Sequence, residues 1–184
     1  MKLSNNKGFT LVELVVVIFI MAILGATMIA NFRAGERSKR VQIAFDTAVN
    51  AVRNAQNFTL AGKAVSNSSC TQGKSPLGYE VFFSSGTSIS LYGIDKCNVA
   101  NLIESYPYPR NTAAGGYRVD GASPSSFEIK FSTPYAQILA AQDATTPNSK
   151  TFGNFGTATV TFQSTDGNVS KILTIDGIAG RIGE

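Results

Sequence analysis

The chain has 184 residues, a formal net charge of +4, two cysteines and no histidine. That length holds one compact domain plus a membrane segment, but hardly two full domains. Without histidine, Ser-His-Asp and Cys-His catalytic devices are excluded, as is any zinc site built on imidazole.

No Gly-rich phosphate loop follows a strand and no carboxylate pair stands in a marked context. No enzyme activity, cofactor or metal is therefore expected. From Lys63 onward nine basic and nine acidic residues cancel, so the basic excess belongs to the segment before it. A nucleic-acid-binding head is not expected, because Lys and Arg beside an apolar segment commonly meet lipid headgroups. Sparse charge, with Gly, Ser, Thr and Asn common, suits a β-rich extracellular domain.

In chain order, residues 1–8 are short and polar, with Lys2 and Lys7. Residues 14–32 then pass without a charge, nineteen in all. As a helix they span about 28 Å, close to the hydrocarbon thickness of a bilayer. Inside lipid the backbone must satisfy its own hydrogen bonds, so such a segment has to be helical. The competitor is a secretory signal peptide. Its apolar core is usually shorter, and no convincing small-x-small cleavage site precedes Arg33. Charge bias does not decide orientation: Lys2 and Lys7 flank one end, Arg33, Arg37, Lys39 and Arg40 the other.

Beyond residue 32 the helical period continues. Val41, Ala44, Phe45, Ala48, Val52 and Ala55 recur at three- and four-residue steps, with polar residues between them. Gly62 is the expected stop. One helix is thus predicted from about Phe9 to about Ala61, roughly 80 Å at the standard rise. Its greasy second half needs a cover.

The remaining chain changes period. Residues 79–84 and 88–92 read as strands around a Ser-Gly-Thr turn, residues 127–131 alternate cleanly, and so do residues 157–162. The last of these turns at Asp166-Gly167-Asn168 into a strand over 169–176. Weaker strands are expected at 100–104 and 117–120, and loops at 106–109, 113–116 and 145–149. One-sided alternation predicts antiparallel pairing with one face covered and one wet. Ala158, Val160, Phe162, Leu173 and Ile175 would then pack on the helix stripe.

The run Lys7-Gly8-Phe9-Thr10-Leu11-Val12-Glu13, leading straight into the apolar segment, resembles the N-terminal motif of type IV prepilins and type II secretion pseudopilins. A lone carboxylate at the head of a membrane helix is costly unless paired, and is by default a functional feature. The alternative is an interfacial Glu favoured by the helix N-terminus. The resemblance implies an α+β pilin fold: a long N-terminal helix, membrane-spanning in its first half, packed on an antiparallel β head. It implies a leader over 1–8, a transmembrane and assembly helix over 9–32, an amphipathic continuation over 33–62 and a globular head over 63–184. By the same likeness, a prepilin peptidase/methyltransferase cuts between Gly8 and Phe9 and methylates the amine of Phe9. Glu13 then pairs with the α-ammonium of a neighbouring subunit. The implied partners are other pilin or pseudopilin subunits, an inner-membrane platform protein, an assembly ATPase and the lipid bilayer. The implied location is the bacterial cytoplasmic membrane, leader inside and head outside, and later a surface or periplasmic filament.

Two departures stand out. Many type IVa pilins carry a helix-kinking proline at the point corresponding to Ala30, and this chain has none; Gly25 is its one weak spot. The C-terminal cysteine pair of many major pilins is also missing. The ending, from Ala158-Thr-Val-Thr-Phe162 through Asp166-Gly167 to Gly180-Arg181-Ile182, is similar to H-type minor pseudopilins. With export implied, Cys70 and Cys97 are expected to pair. The 28-residue loop they would close is worth roughly 3–4 kcal/mol in the chain-entropy model; the alternative is two separate buried thiols. Arg33, Arg37 and Arg40 share a helical face and suit headgroup contact and solvation. Three glycosylation triplets, at Asn57, Asn67 and Asn168, carry little weight because such triplets arise often by chance. A rival from another class is a membrane-tethered adhesin that never polymerises.

Overall fold

The computed structural model describes residues 9–65, 70–71, 73, 75–84 and 86–183, with backbone alone at 29 and 30. The leader with Gly8, and the triplet at Asn67, lie outside the described residues. The chain divides into two compact units, 1–37 and 38–184.

One helix, α1, runs Leu11–Leu60 and is unbroken through Gly25 and Gly35. Its end is set by local chemistry. Gly62 takes φ 59°, a conformation that costs a residue without Cβ little. The Lys63 amide then reaches the Phe58 carbonyl at 3.0 Å and the Gly62 amide reaches Thr59 at 3.2 Å. These two bonds satisfy carbonyls that the last turn leaves open, in a Schellman arrangement. The Lys63 ammonium caps the contact, 3.7 Å above the Phe58 ring.

In the second unit the predicted stripe is buried throughout: Val41, Ala44, Phe45, Ala48, Val52 and Ala55, joined by Ala51 and Thr59. Its cover is two antiparallel sheets. The first holds β1 (Gly78–Ser84), β2 (Ser88–Ile94), β3 (Ala100–Pro107), β5 (Ser126–Ser132) and β6 (Gln137–Gln142), in the order β3-β2-β1-β5-β6. The second holds β4 (Thr112–Val119), β7 (Thr157–Ser164), β8 (Ser170–Asp176) and β9 (Ile182–Gly183), in the order β4-β7-β8-β9.

Both sheets turn an apolar face to the helix. On the first, Tyr79, Val81 and Phe83 of β1 and Phe127, Ile129 and Phe131 of β5 are fully buried; the Tyr79 ring stands 5.6 Å from Phe58. Thr59 fastens this contact by donating its hydroxyl to Ala55 at 2.8 Å and to the Phe131 carbonyl at 3.3 Å. On the second, Ala158, Val160, Phe162, Leu173 and Ile175 are fully buried as expected, and Phe162 meets Phe45 edge-on at 6.4 Å. Tyr117 of β4 reaches Phe127 of β5 at 5.7 Å, so the two inner faces share one core.

Cys70 and Cys97 form a disulfide, Cα–Cα 5.7 Å. It fastens the connection after α1 to the turn between β2 and β3. That turn is itself built on Asp95, whose carboxylate accepts from the Cys97 and Val99 amides at 3.0 Å each and from Asn101 at 3.1 Å.

Some expectations change. Residues 113–116, read as a loop, belong to β4, where pairing with β7 overrides the weak strand tendency of Ala and Gly. The loop expected from 106 begins later, because β3 runs on to Pro107 against Ser88. β6 and β9 are strands the sequence reading missed. The Asp166-Gly167 hairpin stands, with the Ser164 hydroxyl on Asp166 at 2.5 Å and the Gly167 amide on Ser164 at 2.8 Å.

Candidate processing and assembly site

The site is the start of α1. The first four amides of a helix have no partner inside it, so something else must accept from them. Here Thr10 does: its hydroxyl oxygen accepts from the Glu13 amide at 3.2 Å, and its carbonyl accepts the first helical bond, from Leu14, at 3.2 Å. Thr10 is therefore the N-cap, and Thr10-x-x-Glu13 has the spacing of a capping box. The sequence reading passed over Thr10, although Thr three residues before Glu ahead of an apolar run is a legible signal.

Glu13, the acidic residue of the first turn, is exposed, and Phe9 is 80% exposed. A carboxylate in the first turn is favoured by the partial positive charge of the unpaired amides. The same geometry puts Phe9 immediately before the cap and Glu13 one turn inside it. Gly8 is outside the described residues, so the structure describes two of the three residues singled out for processing and assembly.

Among the described residues of this unit, the side chains from Leu11 onward find no cover. Leu11, Val12, Leu14, Phe19, Met21, Met28 and Phe32 are all more than half exposed. Mean hydropathy reaches 2.7 over eighteen residues of the helix, enough by length and composition to cross a membrane. A helical segment apolar all round, on which none of the described residues packs, is matched to lipid or to other helices. Its one described hydroxyl in mid-segment, Thr27, donates to the Leu24 carbonyl at 2.9 Å and so leaves no donor for lipid to accommodate.

Further along, Arg40 does more than meet solvent: it donates to the Arg110 carbonyl at 3.4 Å. The Cys70, Asp95 and Cys97 ligand atoms lie within 4.8 Å of one another, but the sulfurs are bonded together and Asp95 already accepts three hydrogen bonds. The acids are arranged otherwise than the sequence reading had it. Glu80 and Glu128 do form a marked pair, fully buried on the first sheet's outer face, which had been expected to be wet.

A family model described as the prokaryotic N-terminal methylation motif matches residues 3–29. No curated protein and no solved structure matches the chain. The matched stretch contains the capped helix start, Phe9, Glu13 and most of the uncovered apolar segment, and these features fit a single-pass membrane-anchored protein. Over residues 3–29 the chain thus carries a prokaryotic N-terminal methylation motif, which supports its likeness to type IV prepilins and pseudopilins.

Proposed function

We propose that this protein is a structural subunit, a pilin or pseudopilin of the minor kind, of a type IV pilus-like filament or a type II secretion pseudopilus. Residues 1–8 are its leader, removed between Gly8 and Phe9 by a prepilin peptidase that then methylates the Phe9 amine. The observation that carries the reading is the uncovered apolar helix headed by one carboxylate.

The chemistry follows from charge in a poor solvent. An acidic side chain at the bilayer centre costs about 3 kcal/mol on insertion scales. Removing the leader creates an α-ammonium on Phe9, one turn from Glu13. Methylation keeps that positive charge. Within one subunit the ammonium sits at the positive end of its own helix, where cations are disfavoured. The Glu13 of a neighbouring subunit offers it a partner in low dielectric, and leaving either charge alone there is expensive. Pairing between subunits therefore sets their axial register, and the apolar helices exchange lipid for one another. The platform protein and assembly ATPase act on the subunit, which supplies no catalytic group.

Mass spectrometry of the protein extracted from membranes tests the processing step. A chain beginning at N-methylated Phe9 is expected; an intact Met1, or a cut beyond Ala30, overturns the reading. Glu13→Ala should be trimmed normally yet fail to enter filaments. If it assembles as well as the parent chain, the carboxylate has another role. A chain that is processed but stays solitary while the assembly machinery works would be a tethered binding domain.

A further inference from the structure

Glu80 of β1 and Glu128 of β5 are both fully buried on the face of the first sheet that points away from α1. Glu80 sits opposite Lys130 in the strand register and Phe82 opposite Glu128, so the two acids are diagonal neighbours. Lys130 Nζ stands 3.3 Å from Glu80 Oε1. Among the described residues none of the four carboxylate oxygens accepts a hydrogen bond of good geometry, though the Asn148 backbone amide approaches both groups.

The strap of residues 143–156 between β6 and β7 crosses this face, with the Asn148 amide beside both carboxylates and Phe152 over Lys130. The strap leaves the sheet edge at Asp143, whose amide donates to Ser126 at 2.9 Å and whose carboxylate accepts from the Ser125 amide at 2.8 Å. The Ser126 hydroxyl holds the Ala144 carbonyl at 2.6 Å. It then crosses to the β2–β3 turn, where Asn148 donates to the Asn98 carbonyl at 2.9 Å. It returns to pair Gly153 with Ala140 through two bonds of 2.9 Å, laying the Phe152 ring 4.9 Å from Lys130 Nζ.

Two fully buried acids face one partly buried base. Two carboxylates and one ammonium would leave a bare negative charge in a dry site, which proteins avoid by neutralising the group. We propose that Glu128 holds a proton and that this proton latches the strap: with it, residues 143–156 lie closed over the sheet, and its loss to solvent releases them. Glu80 and Lys130 keep their ion pair in both states. The inference is independent of the processing reading.

The charges acting on Glu128 are those of Glu80, which opposes ionisation, and Lys130, which favours it. β6 places uncharged Ala141 opposite Glu128, and β2 places Tyr92 opposite Glu80. On the strap, Asp143 and Lys150 are exposed, and Asp143 is tied to Ser125. Desolvation dominates, and with the Glu80 charge it pushes the Glu128 carboxyl up to about 8.

The test uses the full chain in detergent micelles. Infrared spectra at pH 7 should contain a protonated-carboxyl band that is absent from Glu128→Gln. Hydrogen exchange at the Ala140 and Gly153 amides, corrected for its intrinsic pH dependence, should show strap opening that grows about tenfold per pH unit above about 4.5 and levels off above about 8. Trypsin cleavage at Lys150 should accelerate in step. Glu128→Gln should remain closed across the range. A pH-independent strap in the parent chain, or the absence of a protonated carboxyl at pH 7, overturns the proposal. So does closure that requires added calcium and is reversed by EDTA, since a metal ion would then sit where we place the proton. The infrared reading needs no variant, so it decides even if Glu128→Gln fails to fold.

Discussion

At the scale of single residues, a hydroxyl and a carboxyl carry the sharpest consequences. Replacing Thr10 with Ala removes the acceptor for the Glu13 amide, and lost N-caps cost about 1 kcal/mol. Exchange of the Glu13 amide should therefore speed up roughly fivefold in Thr10→Ala, with amides beyond residue 20 unchanged. The Glu128 proton affects the whole fold by linkage. Its folded pKa is raised from an ordinary 4.5 to about 8, so the native state holds the proton more tightly than the unfolded chain. The resulting stabilisation is fully present below about 4.5, declines as pH climbs, and is gone above about 8. The denaturation midpoint should fall from pH 5 to pH 9 in the parent chain, and Glu128→Gln should flatten that slope. Glu13 was legible because its motif is local. Glu128 was not: in Phe-Glu-Ile-Lys-Phe it has the pattern of a solvated strand face, and the strap that crosses this face, fourteen residues long, begins at residue 143.

At the scale of elements, the helix and its stripe could be read directly because burial there repeats with the helical period. The alternating strands β5, β7 and β8 were equally plain. β6 was not, since Gln-Ile-Leu-Ala-Ala-Gln has no clean alternation and a single β-branched residue, Ile138; its pairing with β5 makes it a strand. The same tertiary override turned Ala113–Gly116 chemistry into part of β4. Close approach between β1 and β5 gives a sharp test. A Cβ at Gly78 would lie 2.4 Å from the Phe131 carbonyl oxygen, and that backbone is the carbonyl to which Thr59 also donates. Gly78→Ala should cost about 1–3 kcal/mol, the usual range for overpacking, measured as a lowered thermal midpoint. The disulfide belongs to this scale as well. Its partners are 27 residues apart, and Cys97→Ser should destabilise by about 3 kcal/mol, seen in denaturant titrations under oxidising conditions.

At the scale of the molecule, the two units solve different solvent problems. Residues 38–184 bury a shared core between two sheets and a helix. Among the described residues up to 37 almost nothing is buried, and the stability of the helix over 11–37 depends on an apolar medium. A second charge in mid-segment should expose that dependence. Ile20→Glu adds about 3 kcal/mol to the cost of insertion, and less of the protein should remain in the membrane pellet after alkaline extraction.

The cap at Thr10 has a bearing on maturation that concerns timing rather than strength. The first helical turn is sealed by a residue lying on the far side of any scission ahead of Phe9, so the backbone there is finished before an enzyme touches it. In the maturation proposed above, trimming would rewrite the electrical character of one chain end without asking a single downstream peptide to rearrange. The freshly cut subunit would be ready to be picked up at once.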